Sequence, residues 1–323
     1  MRLPHHLTES PFFLFSEEKD FITAVKSVVD ATELHRIENL LENGLMPVTS
    51  KEVLATMFGV NAGIIWSFAN RPLRHYRNFS IPKGQGKRYI SAPKVGLKII
   101  QKWMGVQLQN SLTFPNHVFG FVPGRSHISA AKVHAGARWV YSVDIKDFFA
   151  STPKAMVSKS LQKIGYDQDS ADLISTLCCY RGFLAQGAPS SPVLSNLCMS
   201  KVDADLALLA ENLGARITRY ADDVSFSSVN EFPISITEEL NTIFEATPWK
   251  IAEEKTHLSE FPRRLKVHGL LVHGPSVRLT KGYRNRIRAY RHLLDTQKYK
   301  QEDLAFLRGH INYAEQVERA AID

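Results

Sequence analysis

The sequence predicts an α+β fold, and three observations carry that prediction. Apolar residues recur at helical spacing through the first eighty positions and again in the last fifty. Strand-like alternation breaks in at 78–93, at 138–145 and on both sides of Asp222. No internal repeat or flexible linker interrupts the chain, so its subdomains read as contiguous parts of one body.

The bulk numbers bound the function. A chain of 323 residues has the length of about two domains and buries roughly three-quarters of its unfolded surface. With 44% hydrophobic and 22% charged residues, a disordered chain is excluded. No run of 18 apolar residues exists, which argues against a membrane span. The opening MRLPHHLTESPFFLF lacks a basic stretch followed by an apolar core, so no secretory signal is expected. His5-His6 carries no message. Cys178, Cys179 and Cys198 lack metal-ligand spacing and read as buried thiols of a cytoplasmic protein. A net charge of +8 and a pI near 9.3 favour a polyanionic partner, because neutralising phosphates releases counterions.

In order, Phe21, Val25, Val28 and Val29 predict a first helix, and Leu34, Ile37, Leu40 and Leu41 a second. TSKEVLATMFGV (49–60) opens with Thr49 and Glu52 at capping-box spacing. It also looks like half of a helix-turn-helix, a pattern that more often packs than reads DNA. NFSIPKGQGKRYISAP (78–93) predicts a basic hairpin around Gly84-Gln85-Gly86. A helical stretch, VGLKIIQKWMGVQLQNSL, follows. RWVYSVDI (138–145) predicts a strand with Trp139, Tyr141, Val143 and Ile145 on one face and Ser142 and Asp144 on the other. Thr152 before Pro153, and Ser191 before Pro192, predict helix starts. Leu194, Cys198, Val202, Leu206 and Leu209 form the apolar stripe of the second of these helices. LKVHGLLV (265–272) reads as a strand.

RYADDVSFS (219–227) places Asp222 and Asp223 at a hairpin tip, and Asp144 ends another strand. Two like charges about 4 Å apart repel by roughly 4 kcal/mol at an effective dielectric near 20. Carboxylates so gathered disfavour folding unless a cation intervenes. Mg²⁺ takes oxygen ligands, commonly one or two carboxylates plus substrate phosphates. Asp144, Asp222 and Asp223 are therefore expected to hold two Mg²⁺ ions, with Mn²⁺ as an alternative. One ion would activate an attacking hydroxyl and the other would stabilise a leaving pyrophosphate.

YADD (220–223) resembles the Tyr-x-Asp-Asp box of reverse transcriptases. VYSVDIKDFFAS resembles their motif A and QGAPSSPVLSNL their motif B. EEKTHL (253–258) sits where a motif D lysine is expected, and VHGLLV where the primer grip lies. FGFVPGRS (119–126) and KRYISAP (87–93) look like fingers blocks. Order and spacing agree over about residues 70 to 280, and the compact length resembles the bacterial retron reverse transcriptases. Two family patterns depart. Ala130 stands where an Asn-Ala-x-x-His pattern ending at His134 begins, and Val267-His268-Gly269 replaces Val-Thr-Gly. Both histidines are expected to be satisfied structural residues.

The resemblance implies a right-hand polymerase: an N-terminal helical region (1–69), fingers (70–137), a palm with an antiparallel sheet (138–275, with 160–190 shared with the fingers) and a helical thumb (276–323). It implies RNA-directed DNA synthesis from dNTPs on a structured noncoding RNA, primed from an RNA 2′-hydroxyl to give branched RNA–DNA. A separate effector protein in phage defence is a further implied partner. Site roles follow residue by residue. Ile145 would offer its carbonyl to metal, and Phe149 would exclude a ribose hydroxyl. Gln186 would position nucleotide and template, while Lys87 or Arg88, with Arg125, would meet phosphates. Lys255 would protonate pyrophosphate and Tyr220 would pack under the primer end. Between Arg278 and Lys300 there are eight Lys/Arg and one acid, Asp295. Arg284, Arg288 and Arg291 would grip an RNA-containing duplex by its backbone, beside an apolar stripe of Tyr283, Ile287, Tyr290 and Leu294. A group II intron or diversity-generating enzyme, or a non-catalytic RNA-binding scaffold, is the alternative.

Overall fold

Capping chemistry and apolar spacing set the N-terminal helices, seen in a computed structural model that describes residues 9–84 and 86–322. His5-His6 and Gln85 lie outside the described residues. Two units form: one from residues up to Phe114 together with Asp147–Lys201, the other from Pro115–Lys146 and Val202 onward. In chain order the strands are β1 (Tyr76–Lys83), β2 (Gly86–Pro93), β3 (Trp139–Asp144), β4 (Cys179–Tyr180), β5 (Phe183–Leu184), β6 (Arg216–Tyr220), β7 (Asp223–Ser228), β8 (His257–Glu260), β9 (Lys266–Val267) and β10 (Leu270–Leu271).

In the first unit, helix Glu18–Val25 buries Phe21 and Val25 and ends before Val28, which is exposed. The predicted helix was thus too long. Asp30 caps helix Ala31–Glu42 by accepting from Glu33 N at 2.7 Å. The next helix, Lys51–Phe58, is capped by Ser50 rather than Thr49. Thr49 is buried and donates to Glu33 at 2.8 Å instead. It stops at Gly59, whose φ of +60° suits glycine.

β1 and β2 form the predicted hairpin, antiparallel, pairing Ile81 with Arg88 and Pro82 with Lys87. Helix Val95–Ser111 then buries Leu97, Ile100, Trp103, Met104 and Leu108. Helix Lys154–Lys163 begins after Pro153, which contributes no side-chain cap. Thr152 bonds back to the Phe148 carbonyl. Likewise Ser191, the first residue of helix Ser191–Asn212, donates to the Ala185 carbonyl. All three cysteines are buried and free.

The second unit is built on an antiparallel sheet in the order β6-β7-β3-β8. β3 is central, and Val140 and Ser142 are buried along with Trp139, Tyr141 and Val143. LKVHGLLV is not one strand: β9 and β10 pair Val267 with Leu270 around a two-residue turn. The core beneath gathers Val140, Leu265, Val267, Leu270 and Val272 with Ile287, Ile311, Ala314 and Val317 of helices Lys281–Asp295 and Leu304–Ala320. Burying each aliphatic side chain there contributes about 1.5–3 kcal/mol. Among the described residues no helix is long and apolar enough to cross a membrane.

Candidate active site

β6 ends at Tyr220 and β7 begins at Asp223, which pair across the ladder, so Ala221 and Asp222 form a two-residue turn. Ala221 has φ +59°. Only its first central residue is left-handed, as in a type II′ turn, where glycine is usual. An alanine held there costs about 1–3 kcal/mol. The surroundings supply the constraint. Arg219, wholly buried, donates from Nη1 to the Ala221 carbonyl at 3.1 Å. Its Nε and Nη2 each bond Asp203 at 2.6 Å. Gly120 abuts the turn so closely that a Cβ on it would lie 2.8 Å from the Tyr220 carbonyl carbon. Ile145 N donates to the Asp222 carbonyl at 2.8 Å, tying the end of β3 to the same turn.

The hairpin behind the turn is pinned by His134. Its two ring nitrogens lie 2.6 Å from Ser227 Oγ and 2.8 Å from Thr218 Oγ1. Burial lowers its pKa to about 3, with Arg216 adding to the shift. It is the satisfied structural histidine expected.

Asp144 stands directly opposite Asp223 in the β3–β7 ladder, a like-charge pairing that destabilises a sheet. Burial raises the pKa of Asp222, and the negative charges of Asp144 and Asp223 raise it further. Lys255, at the end of the short turn Glu253–Lys255, places Nζ on Asp144 Oδ1. The bond to Asp144 raises the pKa of Lys255 in turn. Ala252 N donates to the Asp144 carbonyl at 2.8 Å, which docks that turn against the end of β3. His268 Nδ1 lies 3.3 Å from Asp223 Oδ2. Three carboxylates, one of them held against its own charge, are a donor set suited to a hard divalent cation. Among the described residues no three acidic, His or Cys side chains already converge on one ion position. Lys255 and His268 engage two of the three acids instead.

The reverse transcriptase (RNA-dependent DNA polymerase) family model matches residues 81–301. The retron Mx162 and Mx65 reverse transcriptases of Myxococcus xanthus are each 32% identical over 297 residues. The retron Ec86 reverse transcriptase of Escherichia coli is 30% identical over 242 residues. These alignments take in 80, 84 and 74% of this chain and 61, 68 and 75% of the respective relatives. The chain belongs to the retron reverse transcriptases. It spans 61% of the length of the Mx162 relative, and its fold is the right-hand fold of the family, mixed in helix and sheet.

The other positions of this retron reverse transcriptase divide between the units. Tyr220, Ile145, Lys255 and Arg125 lie with the carboxylates in the second; Phe149, Gln186, Lys87 and Arg88 lie in the first. Tyr220 packs edge-on to His127 at 6.4 Å and tilted against His268 at 5.2 Å. Arg125 donates to the carbonyls of Pro115 and Val118, bracing its own loop. In the first unit, Lys87 is exposed and Arg88 half-buried on β2. The Gln186 carbonyl accepts from Ser91 N at 2.8 Å, joining the motif B loop to that hairpin. Phe149 is half-buried beside Phe148. Arg284 and Arg288 are exposed on helix Lys281–Asp295, and Arg291 reaches to 3.8 Å from Glu318. Sequence reasoning missed Asp203, Arg219, Gly120 and the engagement of His268 with Asp223. For His268 the departure from Val-Thr-Gly was the available signal.

Proposed function

We propose that this chain is a retron-type RNA-directed DNA polymerase that copies a structured noncoding RNA into DNA. The observation that carries the proposal is Asp144 opposite Asp223, with Asp222 in the constrained turn beside them, in a member of the reverse transcriptase family. Asp144, Asp222, Asp223 and the Ile145 carbonyl are the residues to hold two Mg²⁺ ions, or Mn²⁺. Bound there, such ions would favour the ionised attacking hydroxyl and offset charge on the leaving pyrophosphate.

The chain's own groups do the rest. Lys255 keeps its proton through the bond to Asp144 and serves as the acid for pyrophosphate. Arg88 or Lys87, together with Arg125, meets the triphosphate of the incoming dNTP, while Gln186 positions nucleotide and template. The ring of Phe149 excludes a 2′-hydroxyl, and Tyr220 supports the primer end. Arg284, Arg288 and Arg291 bind the template–product duplex through its phosphates. The assignment of 1–69, 70–137, 138–275 and 276–323 to N-terminal region, fingers, palm and thumb belongs to the same reading.

Kinship with retron enzymes supports priming from an RNA 2′-hydroxyl, a branched RNA–DNA product, and work beside a separate effector protein in phage defence. Buried free thiols support a cytoplasmic setting. Sequencing the nucleic acid that purifies with the protein tests the function. DNA joined covalently to a noncoding RNA through a 2′ linkage is the expected result. Unlinked, unrelated RNA alone would contradict the retron assignment.

A further inference from the structure

The turn between β9 and β10 consists of His268 and Gly269, with φ of +48° and +82°. Two left-handed residues define a type I′ hairpin, for which Asn-Gly is the common pair. A histidine at the first position is held against its preference, at about 1–3 kcal/mol. Its neighbours Val267 and Leu270 are buried in the core, so the turn cannot swing. The imidazole is therefore aimed rather than merely accommodated. Its side chain is 9% exposed, with Nδ1 3.3 Å from Asp223 Oδ2 and the ring 5.2 Å from that of Tyr220. Nε2 is buried with no hydrogen-bond partner among the described residues.

The ring turns Nδ1 rather than Nε2 toward the Asp223 carboxylate, within ion-pair reach of Oδ2. Asp223 is 41% exposed and stands opposite Asp144, a like charge that favours turning its side chain outward, and the His268 ring lies against it on the other side.

We propose that His268 is a positioning residue that holds the Asp223 carboxylate in place for the divalent cation. This rests on the assignment of Asp223 as a metal ligand. The residue acts through Asp223 and touches no substrate in this scheme. Groups that orient metal ligands typically change metal affinity or activity 10–100-fold when removed.

The test uses the full chain. His268→Gly removes the imidazole while suiting the turn's backbone, and His268→Asn restores a polar side chain in a residue that also tolerates it. Mn²⁺ binding is read by electron paramagnetic resonance, and RNA-templated dNTP incorporation gives kcat and KM separately. His268→Gly should weaken Mn²⁺ binding and lower kcat by about 10–100-fold, with KM for dNTP within about threefold. His268→Asn should recover most of both. In Asp223→Asn protein, adding His268→Gly should leave Mn²⁺ affinity unchanged, since the group it orients is gone. Mn²⁺ affinity and kcat equal to wild type in His268→Gly, or additive losses in the double variant, would overturn the role of His268 alone. A wild-type protein that neither binds Mn²⁺ through Asp223 nor incorporates dNTPs would overturn the functional reading and this inference with it.

Discussion

Asp203 and Arg219 face each other through two 2.6 Å hydrogen bonds, both wholly buried, directly behind the turn that carries Asp222. Breaking such a pair from one side leaves an uncompensated buried charge, which costs about 3–5 kcal/mol. Asp203→Ala should lower the unfolding free energy by about that much, measured by urea denaturation of the whole chain. Asp203→Leu combined with Arg219→Met should cost far less. Equal losses in the single and double variants would show that the pair is not the source.

Gly120 leaves no room for a methyl group against the Tyr220–Ala221 peptide. Gly120→Ala must push that peptide, and Asp222 moves with it. Incorporation should fall at least about tenfold, the scale expected when a catalytic group shifts by a fraction of an ångström. Gly136→Ala is the control: φ is +75° but nothing lies within 4 Å of its Cβ position. It should cost about 1 kcal/mol of stability with unchanged activity.

His134 folds with its pKa lowered to about 3 against an ordinary value of 6.5. Below pH 6.5 the unfolded chain therefore binds a proton that the folded chain refuses. Its contribution is constant above pH 6.5, falls by about 1.4 kcal/mol per pH unit below it, and levels off near pH 3. The raised pKa of Asp222 acts with opposite sign, so the comparison must be with a variant. His134→Gln should be less stable at neutral pH and show a shallower decline between pH 6.5 and 4.5. Parallel slopes would contradict a neutral, doubly bonded His134.

Phe149 stands five residues beyond Asp144 in the chain. On the proposed role of its ring, Phe149→Ala should admit a 2′-hydroxyl. Ribonucleotide use relative to deoxynucleotide use, as a ratio of kcat/KM values, should rise at least about tenfold, within the range one steric contact can supply. An unchanged ratio would assign sugar selection elsewhere.

Much of this site is legible in the sequence. β3, the Asp222–Asp223 tip and the β1–β2 hairpin show clear alternation bounded by turn residues, and adjacent carboxylates at a strand end are costly enough to signal function. The supports were not legible. Arg219 reads as an ordinary strand residue, and its partner Asp203 lies 16 positions away on a helix. Two-residue strands such as β9 and β10 show no periodicity, and His-Gly is not a familiar turn pair. Helix starts slipped by a residue or so because Thr49 and Ser50 are equally able to cap, and tertiary contact with Glu33 took the threonine.

The most direct measurement is dNTP incorporation on an RNA template by wild-type protein and by Asp222→Asn/Asp223→Asn protein, in Mg²⁺, alongside RNA affinity. Synthesis by the wild type, abolished in the double variant with RNA binding within about threefold, a change of well under 1.4 kcal/mol, is the predicted result. Undiminished synthesis by the double variant would contradict the assignment of these acids to the catalytic centre.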